Sequence, residues 1–377
     1  MNTSLSTGRP WRRKNPALRL DDPARSLEEL RAYRAAGGGF LADAQPVAAG
    51  RDAERLGALS RESGVAVAAS TGYHLLGFYP ADCWVHSLDE EGLYDLYCGE
   101  LLEGMLPWRP EPDRRPAQPT AFRAGLVKAA IPAEGAEGRY AVLLRAAARA
   151  AVRCGVPLML HTERGENTLP ALELCFRAGL TPERLIVCHV DRQAADFGPH
   201  DAIAATGVYL DYDTIGRFKY HSDEEEVALL RHMCERGYTQ RLLLSLDTTA
   251  QRMAAYGGEI SLCYLLERFL PRLEAAGFPP EPLRISPCSI AGGSSPADRY
   301  FNTKSVKKDA PDHDQTPRTR QTAHHVLCGR HHRTVLHHEN VPHLGQGAGA
   351  GRGDQGHRPA HPRPRRGLPG GGAVLPG

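Results

Sequence analysis

PLMLHTERGENTLPALELCFRAGLTPERLIVCHVDR, residues 157–192, is the stretch that decides the fold. It opens on PLMLHT (157–162) and closes with LIVCHV (185–190), two short runs that stay apolar until their last residue or two. A strand covered on both faces needs apolar side chains in both directions, so these runs predict buried strands. A longer segment of helical spacing separates them. Strand, helix and strand at this spacing predict a parallel pair joined by a right-handed crossover.

The same unit repeats outward in both directions. GGFLADA (38–44), VAVAAST (65–71) and RAGLVKAA (123–130) precede it, and VYLDYD (208–213) and RLLLSLD (241–247) follow. Amphipathic segments such as 138–155 and 225–237 lie between runs, and Asp22-Pro23 supplies a cap and a proline where the first helix starts. Repetition over about 250 residues suits a (β/α)8 TIM barrel within the α/β class better than an open doubly wound sheet. The first run is followed by no Gly-rich phosphate loop, which argues against dinucleotide binding. Seven strand runs are visible, not eight, and residues 1–20 hold no apolar run. The expectation is a barrel incomplete at strand 1. It comprises an irregular segment 1–20, a barrel 21–285, and a disordered Gly/Pro/Arg/His-rich tail 286–377.

Composition bounds the function. The chain has 377 residues, 41% hydrophobic and 24% charged, with a formal net charge of +2. That charge conceals an asymmetry, because residues 300–377 carry twelve Lys/Arg against five Asp/Glu. The body is therefore slightly acidic, and nucleic acid is not an expected partner. No apolar run reaches the ~18 residues of a membrane span, and no signal peptide is visible at the start. Nine cysteines occur without CxxC spacing, several inside apolar runs, which suits reduced thiols and a cytoplasmic location.

Four of the seven runs end in a metal-binding type of residue: Lys128, His161, His189 and Asp247. Barrel sites are built at the C-terminal ends of strands, so these side chains should converge on one mouth. Singly, each would be read as a hydrogen-bonded or solvated strand end. Together, closing otherwise apolar strands, they point to a divalent-metal site, since buried charges need partners or metal.

The series GGGFLADAQPVAAGRD, ASTGYH, AGLVKAA, HTERG, CHVDR, LDYDTIGR and LSLDTT, with YGGEISLCYLLERFLPRLEAAGF after it, resembles the phosphotriesterase family of the amidohydrolase superfamily from about Leu18 to Phe278. The resemblance implies a hydrolase with up to two divalent metals, usually zinc. Lys128 matches a carboxylated lysine that bridges the metals, and His161 and His189 match ligands of the second metal. Asp247 matches a ligand of the first metal that also handles the proton of the attacking, metal-bridging hydroxide. Tyr73, His74, Glu163, Arg164, Arg192 and Asp213 are candidate substrate-binding residues or supports for the ligands; a surface charge or barrel-mouth hydrogen bond is the plain alternative for each. Arg217, Lys219, Tyr220 and His221 fall on a loop over the mouth with no assigned role.

The sequence departs from the family at one point. Members begin with a strand ending in His-x-His, and no such motif occurs in the first 73 residues. Either the chain as written starts late or the site is degraded, and the first-metal site is expected to be incomplete. The expected activity is hydrolysis of a small-molecule lactone or carboxylic ester, with a phosphotriester less favoured. The alternative is a catalytically impaired barrel that binds a ligand or partner. A membrane partner is not expected, and a homodimer is compatible with the sequence.

Overall fold

The computed structural model describes residues 20–107 and 118–278. All seven apolar runs form strands: β1 (Phe40–Asp43), β2 (Ala66–Gly72), β3 (Leu126–Ala130), β4 (Leu158–His161), β5 (Leu185–Cys188), β6 (Tyr209–Tyr212) and β7 (Leu242–Leu244). Each pairs in parallel with the next, giving one sheet in the order β1 to β7. This α/β sheet curls as part of a TIM-like barrel, and no eighth strand is found among the described residues. Residues 1–19 and 279–377, where the irregular N-terminal segment and the tail were expected, lie outside the described residues.

Helices connect the strands: α1 (Pro23–Ala35), α2 (Ala53–Ser63), α3 (Glu90–Leu102), α4 (Arg139–Cys154), α5 (Thr168–Arg177), α6 (Gly198–Ala204), α7 (Asp223–Glu235) and α8 (Leu270–Ala275). The Asp22 carboxylate accepts hydrogen bonds from the backbone N–H groups of Ala24 and Arg25, capping α1, with Pro23 at its first position. Ser222 and Glu225 close a capping box on α7. Among the described residues no helix is long and apolar enough to cross a membrane.

Side-chain alternation splits the core into two layers. Ala42, Leu126, Met159, Ile186, Tyr209 and Leu243 form a cluster on the inner face of the sheet. Leu41, Val127, Leu158, Leu160, Val187, Leu210, Leu242 and Leu244 belong to the larger core that includes residues of the surrounding helices. Both faces are buried, which is why the strands read as continuous apolar runs.

Candidate active site

Continuing the inner parity past each apolar residue reaches a polar one. Two residues beyond Leu126 is Lys128, two beyond Met159 is His161, and two beyond Tyr209 is Asp211. All three are buried. Register sets His161 beside Cys188 and Cys188 beside Asp211 at the strands' C-terminal ends. On the other side Gly72 pairs with Lys128. Gly72 has φ +101°, and a Cβ there would lie 2.0 Å from the Lys128 carbonyl oxygen, so the strands can approach only because position 72 is glycine.

His189 is out of phase with this alternation, since Cys188 belongs to the inner cluster. Its backbone is left-handed at φ +71°. Such a conformation costs a non-glycine residue roughly 1 kcal/mol or more and is typical of functional sites. Here it accompanies an imidazole whose ring lies edge-on to His161, 4.4 Å between centroids. His74, on the inner parity after Gly72, stands 5.4 Å from His161.

One side-chain nitrogen on each of three residues in this cluster lacks a partner. His161 Nδ1, His189 Nε2 and Lys128 Nζ are buried and make no hydrogen bond. Burial, with the neighbouring His189 and Lys128, draws His161 down to about 3; the Glu163 hydrogen bond opposes this. Burial and the Arg192 charge hold His189 well below the usual imidazole range. Both imidazoles are therefore neutral and carry a free lone pair. Two buried lone pairs beside an unpartnered lysine suit a cation held by nitrogen.

Carboxylates surround these nitrogens. His189 Nδ1 lies 2.6 Å from Asp213 Oδ1. Burial and the nearby Asp247 lift Asp213 to about 7, so the contact is a hydrogen bond from a neutral imidazole N–H, not an ion pair. Asp247 lies past β7, its backbone N–H donating to the Asp213 carbonyl at 2.6 Å. Its Oδ2 stands 2.6 Å from Arg217 and 3.6 Å from Arg192. Glu163 Oε1 is 3.3 Å from His161 Nε2, and its Oε2 is 3.4 Å from Arg192. The His161 hydrogen bond holds Glu163 near 2, against the effect of burial.

Lys128, His161, His189, Asp213 and Asp247 thus gather in one buried group, with His74, Glu163 and Arg192 around it. Tyr73 does not join them: it follows the outer parity and is fully buried in the core shared with the helices. Arg164 is exposed. Two groupings were not foreseen. Cys188 and Asp211 lie with Asp213, ligand-type atoms within 4.8 Å. Asp211 could have been found, because LDYD puts two carboxylates on one strand face. Asp191, His221 and Glu226 form a second buried group, described below.

A curled parallel α/β sheet that gathers histidines, a lysine and carboxylates at the C-terminal ends of its strands has the layout of a TIM-barrel enzyme. The phosphotriesterase family model matches residues 7–285, and the chain belongs to that family. It is 27% identical over 289 residues to an N-acetyltaurine hydrolase of Danio rerio, covering 71% of this chain and 77% of that one. It is 26% identical over 265 residues to a phospho-furanose lactonase of Mycoplasmopsis synoviae, covering 67% and 74%. Among solved structures, the phosphotriesterase homology protein of Escherichia coli, complexed with phosphate in its active site, superimposes with a TM-score of 0.63 at 27% identity, covering 71% of this chain and 87% of that one.

Proposed function

We propose that this chain is a metal-dependent hydrolase of ester-like bonds in small molecules, favouring lactones or carboxylic esters over phosphotriesters. The observation that carries the reading is the trio of buried, unpartnered nitrogens on Lys128, His161 and His189. The lactonase and N-acetyltaurine hydrolase among its relatives support acyl chemistry over phosphoryl chemistry.

In this reading Lys128, His161, His189 and Asp247 hold divalent metal, for which zinc suits the nitrogen-rich set. Bound there, metal lowers the pKa of water and polarises the scissile carbonyl. Carboxylation would turn Lys128 from an orphaned cation into an anionic ligand. Asp213 fixes the His189 proton on Nδ1 and leaves Nε2 for the metal. Asp247 accepts the proton of the attacking water, with Arg217 and Arg192 holding its carboxylate in place. His74, Glu163 and Arg192 border the substrate, while Arg164 reaches it only from the rim.

The test is hydrolysis of γ- and δ-lactones, p-nitrophenyl acetate and paraoxon by metal-replete protein, alongside His189→Asn and Asp247→Asn. The expected result is lactone or ester turnover that falls about a thousandfold in either variant. Turnover of none of these, or an Asp247→Asn variant as active as its parent, would overturn it. The short Arg217–Asp247 contact favours a second reading, a barrel that binds without turnover. Metal and lactone binding with no hydrolysis would select it.

A further inference from the structure

A second convergence of ligand atoms lies outside the nitrogen cluster. Asp191, His221 and Glu226 bring an imidazole nitrogen and carboxylate oxygens within 4.8 Å of one another, and all three side chains are buried. They come from separate elements. Asp191 sits in the 3-10 turn after β5, His221 on the loop after β6, and Glu226 in the first turn of α7.

Hydrogen bonding sets the imidazole. His221 Nδ1 lies 3.0 Å from the Ser222 carbonyl oxygen, which can only accept, so the ring proton resides there. The Nε2 lone pair then points into the cluster, the arrangement by which a backbone carbonyl orients a metal-binding histidine. Facing Nε2 are the Thr214 hydroxyl at 2.9 Å and Glu226 Oε2 at 3.3 Å.

The carboxylates are the second, independent observation. Asp191 Oδ2 accepts the Thr214 backbone N–H at 2.6 Å, but its Oδ1 makes no hydrogen bond, and neither does either oxygen of Glu226. One oxygen of each carboxylate lies within 4.8 Å of an imidazole nitrogen, and the Thr214 hydroxyl can donate only one hydrogen bond among the three unpartnered acceptor oxygens. Acceptors packed this way in a dry interior need either protons or a cation between them.

We propose that Asp191, His221 and Glu226 form a second divalent-cation site, separate from the Lys128, His161 and His189 cluster, with the Thr214 hydroxyl as a fourth donor. One imidazole with two carboxylates and a hydroxyl suits zinc or manganese. The site clips the β5 turn and the start of α7 to the loop between β6 and α7. That loop carries Arg217, which holds Asp247, and Tyr220, whose ring lies 5.2 Å from the Arg192 guanidinium. The cation is thus structural, anchoring the arginines over the mouth.

The test is metal content per full-length chain after zinc loading and desalting, with melting temperature in the presence and absence of EDTA. Glu226→Gln and His221→Gln are compared with the parent and with His161→Asn. Histidines in the tail are common to every variant and cancel. Each of the first two variants is expected to carry about one equivalent less zinc than the parent. That loss should add to the loss caused by His161→Asn, and EDTA should lower their melting temperature less than the parent's. Glutamine has the shape and charge of a protonated glutamate, so if protons fill the cluster, Glu226→Gln will keep the parent's zinc content and stability. That result overturns the proposal while leaving the hydrolase reading untouched. If neither variant folds, anomalous diffraction at the zinc edge from zinc-loaded parent crystals decides. A peak among Asp191, His221 and Glu226 supports the site, and its absence there overturns it.

Discussion

His189 Nδ1 and Asp213 Oδ1 lie 2.6 Å apart, both side chains buried, with the imidazole backbone in the left-handed region. The contact fixes which ring nitrogen carries the proton and leaves Nε2 directed at its neighbours. Asp213→Asn keeps the size of the side chain but loses its charge, and its amide can present the wrong group to Nδ1. Metal affinity should fall about 10- to 100-fold with little change in melting temperature. Competition with a metal-sensitive chelator reads this directly, and unchanged affinity would detach Asp213 from the site.

Lys128 gives a prediction of opposite sign for stability. Its Nζ is buried without a hydrogen bond, so in the metal-free protein the amine is desolvated and uncompensated. Lys128→Met retains a long, flexible chain and removes the polar end. Without metal, the variant should melt at or above the parent's temperature, while its metal content falls. A metal-free variant that melts well below the parent would show that the amine has a stabilising partner.

Much of this arrangement was legible from the sequence, for a physical reason. Strands buried on both faces leave unbroken apolar runs, so a lysine, histidine or aspartate ending one stands out. The same continuity hides which face each residue uses. Tyr73 and His74 look equally placed after β2, yet alternation from Ala68 sends His74 to the inner face and Tyr73 into the outer core. His189 breaks the alternation through its backbone, which no periodicity reveals. Asp191, His221 and Glu226 are meaningless in sequence because loops 30 residues apart bring them together. The Arg51–Glu100 pair, 49 positions apart, was invisible for the same reason.

That pair ties α3 to β2 in the outer layer. Arg51 donates to both Glu100 oxygens at 2.7 and 2.6 Å, with each side chain 1% exposed. Thr71, on β2, donates to Glu100 Oε2 at 2.6 Å, and Arg51 also donates to the Ser70 and Leu106 carbonyls. Glu100→Gln leaves the guanidinium buried without its counter-charge and should destabilise the fold by about 3–5 kcal/mol. The double change Arg51→Met with Glu100→Leu should recover much of that loss, since an apolar pair incurs no desolvation cost. Urea midpoints of the three proteins test both statements. A Glu100→Gln midpoint equal to the parent's would show that the hydrogen bonds, not the charge, hold the pair.

His200 should make the fold acid-sensitive. It is buried, with Nδ1 2.8 Å from the Tyr212 hydroxyl and Nε2 3.3 Å from the Gln193 carbonyl. Burial lowers it from 6.5 to about 4, although the Gln193 hydrogen bond opposes the shift. Between those values the unfolded chain binds a proton at this residue that the folded chain does not, so stability rises with pH across the interval. The contribution is present in full above about pH 6.5, is lost as pH falls toward 4, and is flat below that. A shift of this size corresponds to about 3 kcal/mol. His200→Gln removes the titrating group, so the difference in unfolding free energy between parent and variant should change by that amount from pH 7 to pH 4. Parallel pH profiles would mean that protonated His200 is accommodated in the folded protein, with the Tyr212 oxygen accepting a hydrogen bond from its Nδ1–H.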